Sequence, residues 1–321
     1  MSDLSSAVYC TMKFGLSGTG WLLALSCAGL GISYLHSDRL ARWWVPTSDA
    51  AMEAAEARLL EPHIVRTSVF HRFVAAGSQI IHSLHIPQRT RHHQHAHVPQ
   101  AASGDAGLAV DAAAAMKPPM VMLHGFGGSG AVFCKNFYAL SEHYTLYTID
   151  IPGFGRSSAP DFGSEISVQS VRNHWVHTLE AWRKEMGFEQ IVLLGHSMGG
   201  YIAADYALTY PDRVSRLVLV SPFGFKPRII ETEGEVVGPM RSLPLYARVL
   251  MYVVTKVGVM SFVRAIGPLG PRLLSMRSAY DDGRYGFGDD RVSKYVYHLV
   301  AGFKDGDRAF LALSDTIGTS R

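Results

Sequence analysis

Cysteine is scarce in this chain: Cys10, Cys27 and Cys134 are the only three in 321 residues. Their number is odd and their spacing matches no metal-ligand pattern. A reduced intracellular setting therefore fits better than a disulfide framework, and neither a metal nor an organic cofactor is expected. Asparagine is scarcer still. Asn136 and Asn173 are the only two, and neither begins an N-x-S/T sequon, which leans against secretion. A dominant charge sign is also missing: 30 Lys and Arg against 27 Asp and Glu leave a formal net charge of +3, giving no case for nucleic acid as a partner. The shortage with most consequence concerns histidine. Of 15 in the chain, only His298 follows His196.

What is present begins with apolar residues, 48% of the total, enough for one large α/β domain with an appendage or for two modest domains. Residues 14 to 35, "FGLSGTGWLLALSCAGLGISYL", carry no charge and match the roughly 20 residues a helix needs to cross a bilayer core. Lys13 precedes them, while Arg39, Arg42 and the interface anchors Trp43 and Trp44 follow. Three readings stand for this N-terminal segment, 1–42: a membrane anchor, a signal or transit peptide, and a buried apolar helix. Read as an anchor, its basic bias puts the body of the protein in the cytosol, on a membrane or lipid-droplet surface.

Thr47 or Ser48 caps a predicted helix through Leu60, with Glu53 and Glu56 near its positive end. "IVRTSVFHRFV" and "SQIIHSLHI" then predict two short strands in a hairpin. From about 87 to 118 the chain turns polar and then Ala/Gly-rich, the composition of a disordered insertion. Its His92, His93, His95 and His97 have no acidic or cysteine company, which favours a solvated loop over a metal site. Beyond it, strands predicted at 120–124, 144–150, 190–196 and 215–222 alternate with helices at 131–144, 168–186 and 199–210. Short joins between strand and helix mean a parallel sheet covered on both faces. The core is thus expected over 43–222. A helical, mostly apolar region over 223–321 follows, including helices at 243–267 and around "RVSKYVYHLVAGF".

Gly195-His196-Ser197-Met198-Gly199 fits the G-x-S-x-G nucleophile elbow, with a strand before it and a helix after it. Ser197 must sit in a sharply turned backbone so that its Oγ stands proud of the sheet, and side chains two residues either way would collide with neighbouring backbone. The helix start offers the Met198 N–H to a developing oxyanion. His124-Gly125-Phe126-Gly127-Gly128 follows an earlier strand, where its glycines let the Phe126 N–H approach Ser197. "DIPGFGRSS" forms a third tight loop after the next strand.

Together "HGFGG", "DIPGFGRS", "GHSMGGYIAADYALTYPDRVSRLVLVSPFGF" and the upstream "WWVPTSDAAMEAAEARLL" resemble the α/β-hydrolase-domain-containing 4/5 subfamily of the α/β-hydrolase fold. That subfamily includes N-acyl and lysophospholipid lipases, a lipase coactivator, cardiolipin deacylases and proposed lysophosphatidate acyltransferases. The resemblance covers roughly 43–70 and 119–310. It implies a mostly parallel sheet between helices with a helical lid, Ser197 as nucleophile, Phe126 and Met198 as oxyanion donors, and an acyl-lipid substrate. The coactivator branch has asparagine at the nucleophile position, whereas this chain keeps serine. One departure stands out. In this fold the catalytic acid and histidine follow later strands, yet "LALSDTIGTSR" stands where the last strand–helix units are expected to begin, and the terminal H-x-x-x-x-D motif is not found.

Two functions follow. One is a serine ester hydrolase or acyltransferase acting on membrane acyl lipids, whose apolar lid region provides a dry trough for the acyl chain. The other is a catalytically impaired member that binds lipid or a partner, because a serine without a base is a weak nucleophile. His298 sits in a predicted helix, the elbow directs His196 away from the Ser197 Oγ, and His124 is placed to brace the oxyanion loop.

Overall fold

The computed structural model describes residues 47–89, 117–162, 166–225, 263–264, 267–271, 274, 287, 289–302 and 306–319. The apolar segment at 14–35, residues 90–116 of the insertion and nearly all of the helix expected over 243–267 lie outside these residues.

The Ser48 hydroxyl accepts the Ala51 N–H and starts helix α1, Asp49–Ile64, satisfying one of the donors a helix start leaves orphaned. The N–H groups of Arg66 and Thr67 donate back to the His63 carbonyl. Residues 64–67 therefore close the helix instead of opening a strand, and strand β1 begins later than the apolar pattern predicts, at Phe70–Ala76. It pairs antiparallel with β2, Gln79–Ile86, across a tight turn.

Strands β3 (Met120–Leu123), β4 (Leu146–Ile149), β5 (Ile191–His196) and β6 (Val214–Val220) run parallel to one another. β2 joins them antiparallel to β4, giving the order β1-β2-β4-β3-β5-β6. Every residue of β3 and β4 is buried, as expected of strands covered on both sides. On one face Val121, Leu123, Ile149 and Leu193 meet helices α3 (Val168–Glu185), α4 (Met198–Thr209) and α6 (Gly306–Thr319). On the other, Met120, Met122, Leu146 and Val192 meet α1, α2 (Cys134–Leu140) and α5 (Arg291–Ala301).

Two details differ from the sequence pattern. The helix expected from Ala131 starts as a 3₁₀ turn, Gly130–Phe133, because the Ser129 hydroxyl captures the Ala131 N–H. Val132 is consequently exposed, while Cys134 and Phe137 carry the buried stripe. Helix α6 also had no counterpart in the periodicity. Among the described residues no helix is long and apolar enough to cross a membrane.

Candidate active site

At the corner between β5 and α4, Ser197 has φ 52° and ψ −118°, a left-handed backbone that a side chain adopts only when its surroundings force it. The forcing is visible. The Ser197 N–H donates to the Val220 carbonyl of β6 at 3.1 Å, and its own carbonyl accepts the N–H groups of Gly200, Tyr201 and Phe223. Glycine is required on both sides. A Cβ on Gly195 would lie 2.6 Å from the Gly199 carbonyl carbon, and one on Gly199 would lie 2.5 Å from the His124 carbonyl oxygen. Ser197 itself stays half-buried rather than sealed in the core.

The loop after β3 comes directly against this corner. A Cβ on Gly125 would be only 3.1 Å from the Ser197 Cβ, so the two segments are in contact. The loop folds on itself through the Gly128 N–H to the Gly125 carbonyl, 3.0 Å, with Gly127 at φ 71°. His124 braces it from below. Its Nε2 accepts the Ile151 N–H at 3.0 Å, which leaves the proton on Nδ1, 2.8 Å from the Gly125 carbonyl. Burial pushes this imidazole below its ordinary range, in keeping with the neutral tautomer. Among the described residues neither the Phe126 nor the Met198 amide has a hydrogen-bond partner. The Phe126 ring stacks on Phe310 of α6 at 4.3 Å, and Phe310 in turn lies 5.1 Å from Phe223, so an aromatic roof extends from the loop.

The structure brings Ser197, Met198, Phe126 and the glycines at 125, 127, 128, 195 and 199 into one place. Among the described residues it brings no base to them. His298 lies in α5, where its Nδ1 is 2.9 Å from the Thr47 hydroxyl. His124 is committed to the loop backbone, and His196 is exposed on the Gly125 side. Among the described residues no imidazole or carboxylate hydrogen-bonds to the Ser197 Oγ.

A second polar cluster lies beneath the loop. Burial would raise the Asp150 carboxyl, but His82, His124 and the Arg156 N–H hold it at about 2. Its Oδ1 accepts the Gly130 N–H at 2.6 Å and its Oδ2 lies 2.8 Å from His82 Nδ1. Across the same region the Tyr295 hydroxyl donates to Glu56 at 3.0 Å and lies 2.7 Å from the Ser129 hydroxyl. Glu56 is thus fully buried, and it lies in the middle of α1 instead of near its positive end. Sequence reasoning missed it although the signal existed: Met52, Glu56, Leu59 and Leu60 are the buried stripe of α1, and position 56 falls on it.

Comparison with known proteins shows what the chain is similar to. The alpha/beta hydrolase fold family matches residues 118–238. The (lyso)-N-acylphosphatidylethanolamine lipase of Bos taurus is 35% identical over 207 residues, 64% of this chain and 58% of the relative. The 1-acylglycerol-3-phosphate O-acyltransferase ABHD5 of Sus scrofa is 36% identical over 207 residues, 64% of this chain and 57% of the relative. The chain therefore spans less than two thirds of the length of these curated relatives. Among solved structures, the carboxylesterase CesB (YbfK) of Bacillus subtilis has a TM-score of 0.45 at 18% identity, over 81% of this chain and 70% of that one.

Proposed function

Because the chain belongs to the α/β-hydrolase family, close to the lipase and acyltransferase relatives just described, we propose that it is a serine hydrolase or acyltransferase acting on membrane acyl lipids. Ser197 attacks the acyl carbonyl. The Phe126 and Met198 N–H groups stabilise the resulting oxyanion, each worth about 3 kcal/mol in the transition state. The intermediate collapses as the ester C–O bond breaks and the alcohol leaves carrying the serine proton; water or a lysolipid hydroxyl then bonds to the acyl carbon and its proton returns to the Ser197 oxygen. The observation that carries this reading is the contact between the positive-φ Ser197 corner and the Gly125 loop. The aromatic surface of Phe126, Phe310 and Phe223 suits an acyl chain. A membrane or lipid-droplet surface is the matching source of substrate, with the body of the protein on the cytosolic side.

A fluorophosphonate probe tests the proposal. The folded chain is expected to label at Ser197 and to lose the label in Ser197→Ala, while folded protein that takes no label removes an activated serine. A second reading, catalytic impairment with retained lipid or partner binding, is favoured by one observation: His298 is engaged with Thr47 rather than Ser197. It is expected to show acyl-lipid binding unchanged by Ser197→Ala and no ester turnover.

A further inference from the structure

Away from the Ser197 corner, three metal-ligating side chains converge where α1 crosses the β1–β2 hairpin. In the hairpin register Phe73 faces His82 and His71 faces Leu84, so His71 and His82 are diagonal neighbours on the face that α1 covers. His71 Nδ1 and His82 Nε2 are 3.0 Å apart. Two ring nitrogens that close share either one proton or one cation. From α1, Glu56 Oε2 reaches to 3.8 Å from His71 Nδ1, and all three ligand atoms lie within 4.8 Å of one another. Behind them the Asp150 carboxylate holds His82 Nδ1 at 2.8 Å. That contact fixes the ring so that Nε2 points into the cluster, the orientation a carboxylate gives to a metal-binding imidazole.

The remaining direction is taken by Arg156. Its Nη1 is 3.1 Å from Glu56 Oε2 and 3.2 Å from His71 Nδ1, and its Nη2 lies 3.0 Å from Glu53, whose side chain is 62% exposed. Glu56 and His82 have no exposed side-chain surface, but His71 is 37% exposed. The cluster therefore opens to solvent on the side of His71, with the Arg156 guanidinium between it and Glu53.

We propose that Glu56, His71 and His82 form a binding site for one divalent transition-metal ion of the zinc class, which exchanges with the Arg156 guanidinium. Two imidazoles and one carboxylate are a nitrogen-rich set that suits zinc or cobalt, whereas calcium and magnesium favour all-oxygen shells. Coordination ties α1 to the hairpin with a cation of higher charge than the one it displaces. The same Glu56 contacts Tyr295, which contacts Ser129 at the end of the Gly125 loop.

The test uses the full chain with His92, His93, His95 and His97 changed to alanine, since that tract is a competing source of imidazole. Titration with cobalt(II), followed by its visible absorption and by displacement with zinc, is expected to show one equivalent bound with the strong band of a four-coordinate ion. His71→Ala, at a partly exposed position, is expected to weaken binding by at least about 100-fold while the circular-dichroism melt stays cooperative, and Arg156→Gln to tighten it about tenfold. His82→Ala is expected to match His71→Ala wherever it folds. No stoichiometric uptake in the tract-free protein, or uptake indifferent to His71→Ala, overturns the site. None of these readouts involves Ser197, so the outcome is independent of the proposed activity.

Discussion

A methyl group on Gly199 has nowhere to go. It would sit 2.5 Å from the His124 carbonyl oxygen and closer still to that of Leu123, both belonging to backbone at the end of β3 that cannot rotate away. Gly199→Ala is therefore expected to destabilise the fold by about 1–3 kcal/mol, the range for overpacking a close-packed site, and to separate the Gly125 loop from Ser197. A thermal melt checks the first effect, and an unshifted midpoint sinks the close-packed corner. Motif spacing alone already called for these glycines. The motif did not show how the corner is held, because two of the four backbone hydrogen bonds around Ser197 reach Val220 and Phe223, more than twenty residues away.

Two helices on one sheet face are joined by a buried hydrogen bond to a carboxylate, which gives the element scale its pH dependence. Glu180 of α3 accepts the Tyr206 hydroxyl of α4 at 2.7 Å and a forked pair from Arg183 at 2.9 and 2.8 Å. Burial would raise its carboxyl, but these donors draw it from the usual 4.5 down to about 2. A folded-state value below the unfolded one contributes stability that is complete above about pH 4.5 and is lost as pH falls through about 2. Acid titration of stability should therefore show the gap between the wild type and Glu180→Gln closing across that window, and a gap that persists at pH 2 removes the pairing. Tyr206→Phe, which deletes one donor, is expected to cost about 1 kcal/mol at neutral pH. This contact was not legible in the sequence. Periodicity locates α3 and its apolar residues Val171, Trp175, Leu179 and Trp182 correctly, since burial follows the 3.6-residue repeat. It says nothing about which polar residue beside the stripe finds a partner on another helix. The same limit hid Glu56, His82 and Asp150, whose partners are set by sheet order rather than by neighbours in the chain.

On the scale of the whole molecule, the sheet ends among the described residues in β1 on one side and β6 on the other. β1 exposes Phe70 and Phe73 at 52% and 54%, with the imidazole of His71 exposed between them. β6, at the other edge, exposes Leu217, Val218 and Val220 at 40%, 38% and 42%. Among the described residues no strand pairs with its outer side, so its free N–H and C=O groups stand in a row beside β-branched and apolar side chains. Such an edge is a template for pairing with another chain. Interior parallel strands elsewhere in this sheet, β3 and β5, lose almost all exposure because neighbours flank them on both sides. The contrast shows that β6 has the composition of an interior strand and, among the described residues, the surroundings of an outer one. The expected consequence is concentration-dependent self-association of the chain at tens of micromolar, an order-of-magnitude range for strand-edge contacts of limited area. Leu217→Lys, which places a charge on the edge while leaving the inward-packed Leu219 in position, should raise the monomer fraction and shift stability by no more than about 0.5 kcal/mol. Sedimentation velocity across a concentration series decides it. A wild type that stays monomeric, or that associates to the same extent as Leu217→Lys, would show that the outer side of β6 is not what the chain uses to meet other molecules.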